Sequence, residues 1–212
     1  MNVHSPIAPM TASDKQGDKE HRILEATENL LALYGFHGLS MQLVAKEAGV
    51  AAGTIYRYFE SKTALILAVH RKIVEEVSQA LFDGYDPKAS LHQRFNFLWD
   101  RSWLLFIETP QLLRCKFQFD HLPAEHDLQR MRELEAHHFA PMSDFWEQGI
   151  EEGVFKDLPH ELLSSLTFEV CFGLAYKQLT LILTLTQSQM QATKDACWQA
   201  ICVAPSRSGH LD

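Results

Sequence analysis

The chain has only four cysteines in 212 residues, at positions 115, 171, 197 and 202, and no CxxC. That spacing excludes a zinc ribbon and a thioredoxin-like redox pair, and leaves free thiols in a reducing cytoplasm as the expectation. No HExxH motif and no nucleophile–base pair is legible, so neither an enzyme nor a bound cofactor or metal is expected. The first residues lack a basic start followed by an apolar run, so no signal peptide is read there, and residues 1–18 are expected to form a disordered arm. Long apolar runs are missing too. The most apolar stretch, 162–185, is interrupted by Ser164, Ser165, Glu169, Lys177 and Gln178, which excludes a membrane span and suits a buried helix. Strand-like alternation is also absent.

Positive charge is scarce, with 19 Lys and Arg against 27 Asp and Glu. It is also unevenly placed. Between Ser40 and Lys72 five bases face two acids, whereas from Leu81 onward 11 bases face 18 acids. A polyanion would be repelled by everything except the early segment, which orients the encounter.

Apolar residues recur at helical spacing almost throughout, so the chain is read as all-α with about nine helices. Ile23, Thr27, Leu30, Leu31 and Tyr34 make one stripe of a helix over 19–34, which Gly35 ends. Ser40 is a good N-cap for a helix over 41–48. Gly49 breaks it, a third helix covers 52–59, and Ser61 caps a long fourth helix to about residue 82, stopped by Gly84 and Pro87. Further helices are expected over 88–108 and 110–119, with a turn at His121, Leu122 and Pro123. A long helix with a kink at Pro141 then runs to 152, followed by a strongly apolar one over 160–185 and a last one over 188–203. Residues 19–65 form the N-terminal domain, 66–203 an antiparallel bundle, and 204–212 a flexible tail.

The segment GVAAGTIYRYFESK, residues 49–62, carries the chemistry. A helix-turn-helix needs a bracing helix, a sharp turn and a second helix whose exposed residues enter the major groove. Leu43, Val44 and Ala48 supply the brace, Gly49 the turn and Val50 the plug. Thr54, Tyr56, Arg57 and Tyr58 crowd the outer faces of the next helix, while Ile55 and Phe59 point inward. Ser40, Gln42 and Lys62 stand at helix N-termini, where they can clamp phosphates.

The segment 23–65 resembles the N-terminal domain of the tetracycline-repressor-like (TetR) family of bacterial transcription regulators. The matching residues are Ala26, Leu31, Gly35, Phe36, Ala45, Ala48, Gly49, Val50, Gly53, Thr54, Ile55, Tyr56, Tyr58, Phe59, Ser61, Lys62 and Leu65. The resemblance implies a homodimer reading a palindromic double-stranded DNA operator. Its contact set falls on Ser40, Gln42, Ala52, Gly53, Thr54, Tyr56, Arg57, Tyr58 and Lys62. The family often has a serine and a polar or basic residue where this chain has Ala51 and Ala52. A cap hydroxyl and a phosphate contact are therefore missing, and Arg57, whose fork fits guanine O6 and N7, becomes the main base reader.

In the second half, Phe95, Trp99, Trp103 and Phe106 follow at spacings of four, four and three on one helical face. Such a stripe is plain core or, as the resemblance suggests, the wall of an effector pocket, with Phe117, Phe172 and Tyr176 as further lining. The ligand expected there is small and apolar or aromatic. Arg114, Gln118, His121, His137, His138 and Lys177 are polar groups that could orient it. His137 and His138 are adjacent and diverge by about 100° on a helix, which argues against one metal between them. The 160–185 helix has two apolar rows, and two rows suit one face on its own bundle and one on a second subunit. Leu166, Val170 and Leu174, with Trp198 and Ile201 of the last helix, are the expected dimer face. The reading is thus a DNA-binding regulator, a repressor released by its effector. The alternative is an architectural or partner-regulated DNA-binding protein with no effector.

Overall fold

The computed structural model describes residues 12–120 and 128–204. Eleven helices occupy these residues: α1 (Ala12–Gly38), α2 (Met41–Glu47), α3 (Ala52–Tyr58), α4 (Lys62–Phe82), α5 (Leu91–Glu108), α6 (Pro110–Asp120), α7 (Leu128–His138), α8 (Ala140–Glu151), α9 (His160–Ser165), α10 (Phe168–Leu179) and α11 (Gln187–Ile201). No strand occurs among the described residues, only one isolated antiparallel bridge between Phe155 and Cys202. The expected turn at residues 121–123 and most of the expected tail lie outside the described residues. The chain divides into two units, 12–72 with 114–120 and 73–113 with 128–204 among the described residues.

In the first unit α1 packs on α2 and α2 on α3. The core gathers Ile23, Leu30 and Leu31 of α1, Val44 of α2, Ile55 of α3 and Leu65, Ile66 and Val69 of α4, all buried. α1 starts at Ala12, seven residues ahead of the expected start at Lys19, so part of the expected arm is helical. The ion pair four residues apart between Asp18 and Arg22 spans the expected start and supports continuation of the helix there. The helix is broken at Gly35, where φ is 64° and ψ −175°. Glycine is required there by the positive φ, while the Gln118 amide end, 2.7 Å from where a Cβ would stand, could swing aside.

In the second unit α5 and α10 pack side by side, and α11 and α8 also lie on α5. Phe95, Leu98, Trp99, Phe145, Trp146, Phe155, Leu163, Phe168 and Ile201 form its core. α5 opens with a capping box in which Ser90 and Gln93 satisfy each other's neighbouring N–H groups. The buried Arg94 donates from Nε to the Tyr85 hydroxyl at 2.7 Å and from an Nη to Gln148 Oε1 at 2.6 Å. Arg101 donates to the Ala80 carbonyl from both Nε and Nη, a cation placed at the C-terminal end of α4.

Two expected helices are shorter than the sequence pattern implies. The long helix ending at 152 is divided at Phe139, two residues before the expected kink at Pro141. The 160–185 helix breaks between Ser165 and Phe168 and ends at Leu179. At the break, the hydroxyl of fully buried Thr167 donates back to the Leu163 carbonyl at 2.7 Å, a local bond that competes with the helical ladder. At the end, Leu181 takes a left-handed backbone with φ of 58°, and the amides of Ile182 and Leu183 turn back onto the Lys177 carbonyl. That C-capping turn stops the helix although the residues beyond it are apolar.

Candidate nucleic-acid interface

The first unit holds the expected recognition segment as a short helix between two turns. Ser40 is extended (φ −133°, ψ 150°), and its Oγ accepts the Leu43 amide at 3.2 Å, capping α2. Val44 and Ala45 bury the inner face of α2. Gly49 has φ of 63°, which lets the chain reverse, and the Val50 amide returns to the Ala45 carbonyl at 2.9 Å. Ala51 then serves as N-cap of α3 with no side-chain hydrogen bond, as expected from its methyl group.

On α3, Ile55 is fully buried and Phe59, just beyond the helix, nearly so. These two anchors fix which side of a seven-residue helix faces out. The outward side carries Ala52, Gly53, Tyr56 and Arg57, all exposed, with Thr54 and Tyr58 half-buried at its margins. Tyr56 is 58% exposed, a large apolar ring held in solvent. Gln42 and Lys46 are exposed on α2, and Ser40 at its cap. Ser61 Oγ accepts the Ala64 amide at 3.0 Å and so begins α4. Lys62 differs from the exposed Lys46 and Arg57: it is half-buried, and its Nζ donates to the Phe36 carbonyl of α1 at 2.7 Å. Nothing in a linear sequence pairs residues 26 apart in this way.

The groups expected to line a pocket are distributed unevenly. Phe95, Trp99 and Phe106 are buried in the second unit, where Phe95 meets the rings of Trp99, Phe168 and Trp198 at 5.2–5.9 Å. The indole N–H of Trp99 has no acceptor. Phe106 meets Phe172 edge-on at 4.9 Å, Trp103 is half-buried and Tyr176 is exposed. Phe117 belongs to the first unit. Of the polar candidates, Arg114, His137 and Lys177 are exposed and Gln118 lies against Gly35, while His138 sits 3.4 Å from Ser78 Oγ. His121 lies outside the described residues.

Along α9 and α10 the first apolar row is open to solvent: Leu162 is 50% exposed, Leu166 41% and Val170 36%, with Leu174 half-buried. Trp198 is half-buried against His92, Phe95 and Phe155. Ile201, expected at the dimer face, is fully buried within its own chain and has no surface to offer. Helical spacing assigned it a face but could not reveal the Phe155 loop that covers that end of α11.

Residues 90–202 match the family described as tetracyclin repressor-like, C-terminal domain, and residues 23–69 match that of bacterial regulatory proteins, tetR family. The chain belongs to the TetR family. This TetR-family chain is 36% identical to a structurally solved putative TetR-family transcriptional regulator from Vibrio parahaemolyticus. The match covers 88% of this chain and 99% of that one, with a TM-score of 0.79. It is 26% identical over 184 residues to an uncharacterized HTH-type transcriptional regulator of Haemophilus influenzae, covering 87% of this chain and 96% of the relative. A shorter stretch of 90 residues is 34% identical to the transcriptional repressor KstR of Mycolicibacterium smegmatis, covering 41% of this chain and 42% of the relative. As a TetR-family member the chain is a transcriptional regulator whose N-terminal helix-turn-helix binds DNA. Among the described residues no helix is long and apolar enough to cross a membrane.

Proposed function

We propose that the protein is a cytoplasmic repressor that binds a palindromic operator as a homodimer and is released by a small apolar or aromatic effector. The observation that carries the reading is the outward face of α3, where Tyr56 and Arg57 stand in solvent while Ile55 and Phe59 hold the helix from behind. Arg57 reads guanine in the major groove through its two-pronged fork, and Tyr56 meets the sugar–phosphate backbone. Thr54, Tyr58, Ser40 and Gln42 complete the footprint, with the backbone of Ala52 and Gly53 close to the duplex.

The exposed row of Leu162, Leu166 and Val170 supports dimerisation, because a contiguous apolar face gains by being covered. Two copies then present two α3 helices to half-sites about 34–36 Å apart or a multiple of this. α4 contains residues of both units. An effector bound among the aromatic side chains of the second unit, with Trp103 and Phe172 at its rim, shifts α4 and moves the two reading helices off that spacing.

Selection of duplexes from a random pool by the purified full-length protein tests the reading. Enrichment of an inverted repeat, bound at one dimer per duplex and released by an apolar aromatic compound, is the expected result. Equal binding to every sequence would instead favour an architectural role.

A further inference from the structure

We infer that Lys62 is a positioning residue, holding the recognition helix at its docking angle through the Phe36 carbonyl, and that it is not one of the phosphate contacts. The resemblance assigns its charge to DNA, but its half-buried ammonium is turned inward and commits one of its three N–H donors to the Phe36 carbonyl at 2.7 Å within the first unit. That partner is well chosen. Phe36 directly follows the break at Gly35, and its carbonyl, which also accepts the Leu39 amide at 3.4 Å, has a second lone pair for a cation. A cation there also meets the negative end of the α1 dipole.

The acceptor is rigid as well. The Phe36 side chain is buried, its ring meets Phe119 edge-on at 5.4 Å, and Phe119 in turn meets the His70 ring at 4.9 Å. Lys62 is therefore tied to a fixed point shared by α1, α4 and the end of α6. On the other side, only Phe59, Glu60 and Ser61 separate Lys62 from the last residue of α3. Phe59 is buried and Ser61 is committed to capping α4, so this connection has little slack. A displacement of Lys62 is passed to Tyr58 and Arg57. Lys46 and Arg57, by contrast, are exposed and carry their charge outward.

Salt dependence separates the two roles, since each phosphate contact contributes a log–log slope of about −0.9. The full-length wild type, Lys62→Met and Lys62→Arg are compared on a random-sequence 30-base-pair duplex and on the tightest duplex selected by the wild type. All measurements are made well below the melting temperature of each variant. For Lys62→Met the slope on random duplex stays at the wild-type value, while affinity for the selected duplex falls about tenfold or more. Lys62→Arg, which can reach the same carbonyl, restores most of that affinity. A slope shallower by about 0.9 in Lys62→Met overturns the inference, because it reveals a lost phosphate contact. Unchanged affinity for the selected duplex overturns it too, because the tie would then serve stability alone. If the wild type selects no sequence, the proposed function fails, while the slope on random duplex still decides whether Lys62 touches phosphate.

Discussion

The Lys72 ammonium and the Glu28 carboxylate meet at 2.7 Å between α4 and α1, with side chains only 15% and 6% exposed. Beside them the thiol of Cys115 donates to the Glu28 backbone carbonyl at 3.6 Å, so α1, α4 and α6 share one buried junction. Removing one partner of such a pair leaves the other largely buried charge without its counter-ion. Glu28→Gln is expected to destabilise the protein by about 3 kcal/mol. Replacing both residues, Glu28→Leu with Lys72→Met, should recover much of that loss, as urea unfolding of the three proteins will measure.

Arg57→Ala should weaken binding to the selected duplex by about 1–3 kcal/mol and relax the preference at one base pair of each half-site. Binding of a panel of single-base operator variants checks both effects. A uniform loss across all variants would move Arg57 from the bases to the backbone.

Much of this site is legible in the sequence because its determinants are local. Ser40 caps α2, Gly49 turns with positive φ, Ile55 and Phe59 anchor α3, and each acts within a few residues of its own position. Gly35 is legible for the same reason. The interruption at Thr167 is not, because one buried hydroxyl bonding to Leu163 leaves the apolar pattern on both sides intact. The end of α10 at Leu179 is hidden likewise, since Leu181 gives no glycine-like signal for the left-handed turn it makes and is 88% exposed. Helical spacing alone puts Ile201 on the wrong face for want of a long-range partner, and the Lys62 tie to Phe36 is invisible for that reason as well.

Leu166→Glu should shift the protein from dimer to monomer at micromolar concentration without unfolding it. The residue is 41% exposed within one chain, so its charge is harmless until a partner covers it. Sedimentation equilibrium with circular dichroism reads both properties, and an unchanged dimer would remove α9 from the interface.

The thiols should separate by reactivity. Cys202 is the least buried and is expected to alkylate first, while Cys115, Cys171 and Cys197 are buried and react only through opening. Burial, with the Glu28 carboxylate beside it, pushes the Cys115 thiol from 9.0 to about 12, and burial pushes Cys197 to about 11. A raised thiol value favours the protonated form in the fold. The stability it supplies is complete below pH 9 and is lost as pH rises toward 12. Urea midpoints at pH 8 and 10.5 should fall less in Cys115→Ala than in the wild type.

Gly149→Ala should be severe. A Cβ at that position would lie 1.9 Å from the Phe155 ring, a buried group with no room to retreat. Overpacking of this kind costs about 1–3 kcal/mol or more, and a thermal melt will show it.

The bridge between Phe155 and Cys202 has a consequence for where the chain can be cut. The Lys156 amide binds the Ile201 carbonyl at 2.8 Å and the Val203 amide binds the Val154 carbonyl at 2.9 Å, so the end of α11 is stitched to the turn after α8. Phe155 in turn meets the rings of Phe145, Trp146 and Trp198. Chain ends are usually the cheapest places to lose residues. Here the last helical turn is a clasp, and a deletion reaching Ile201 would open the aromatic centre of the bundle from its far end.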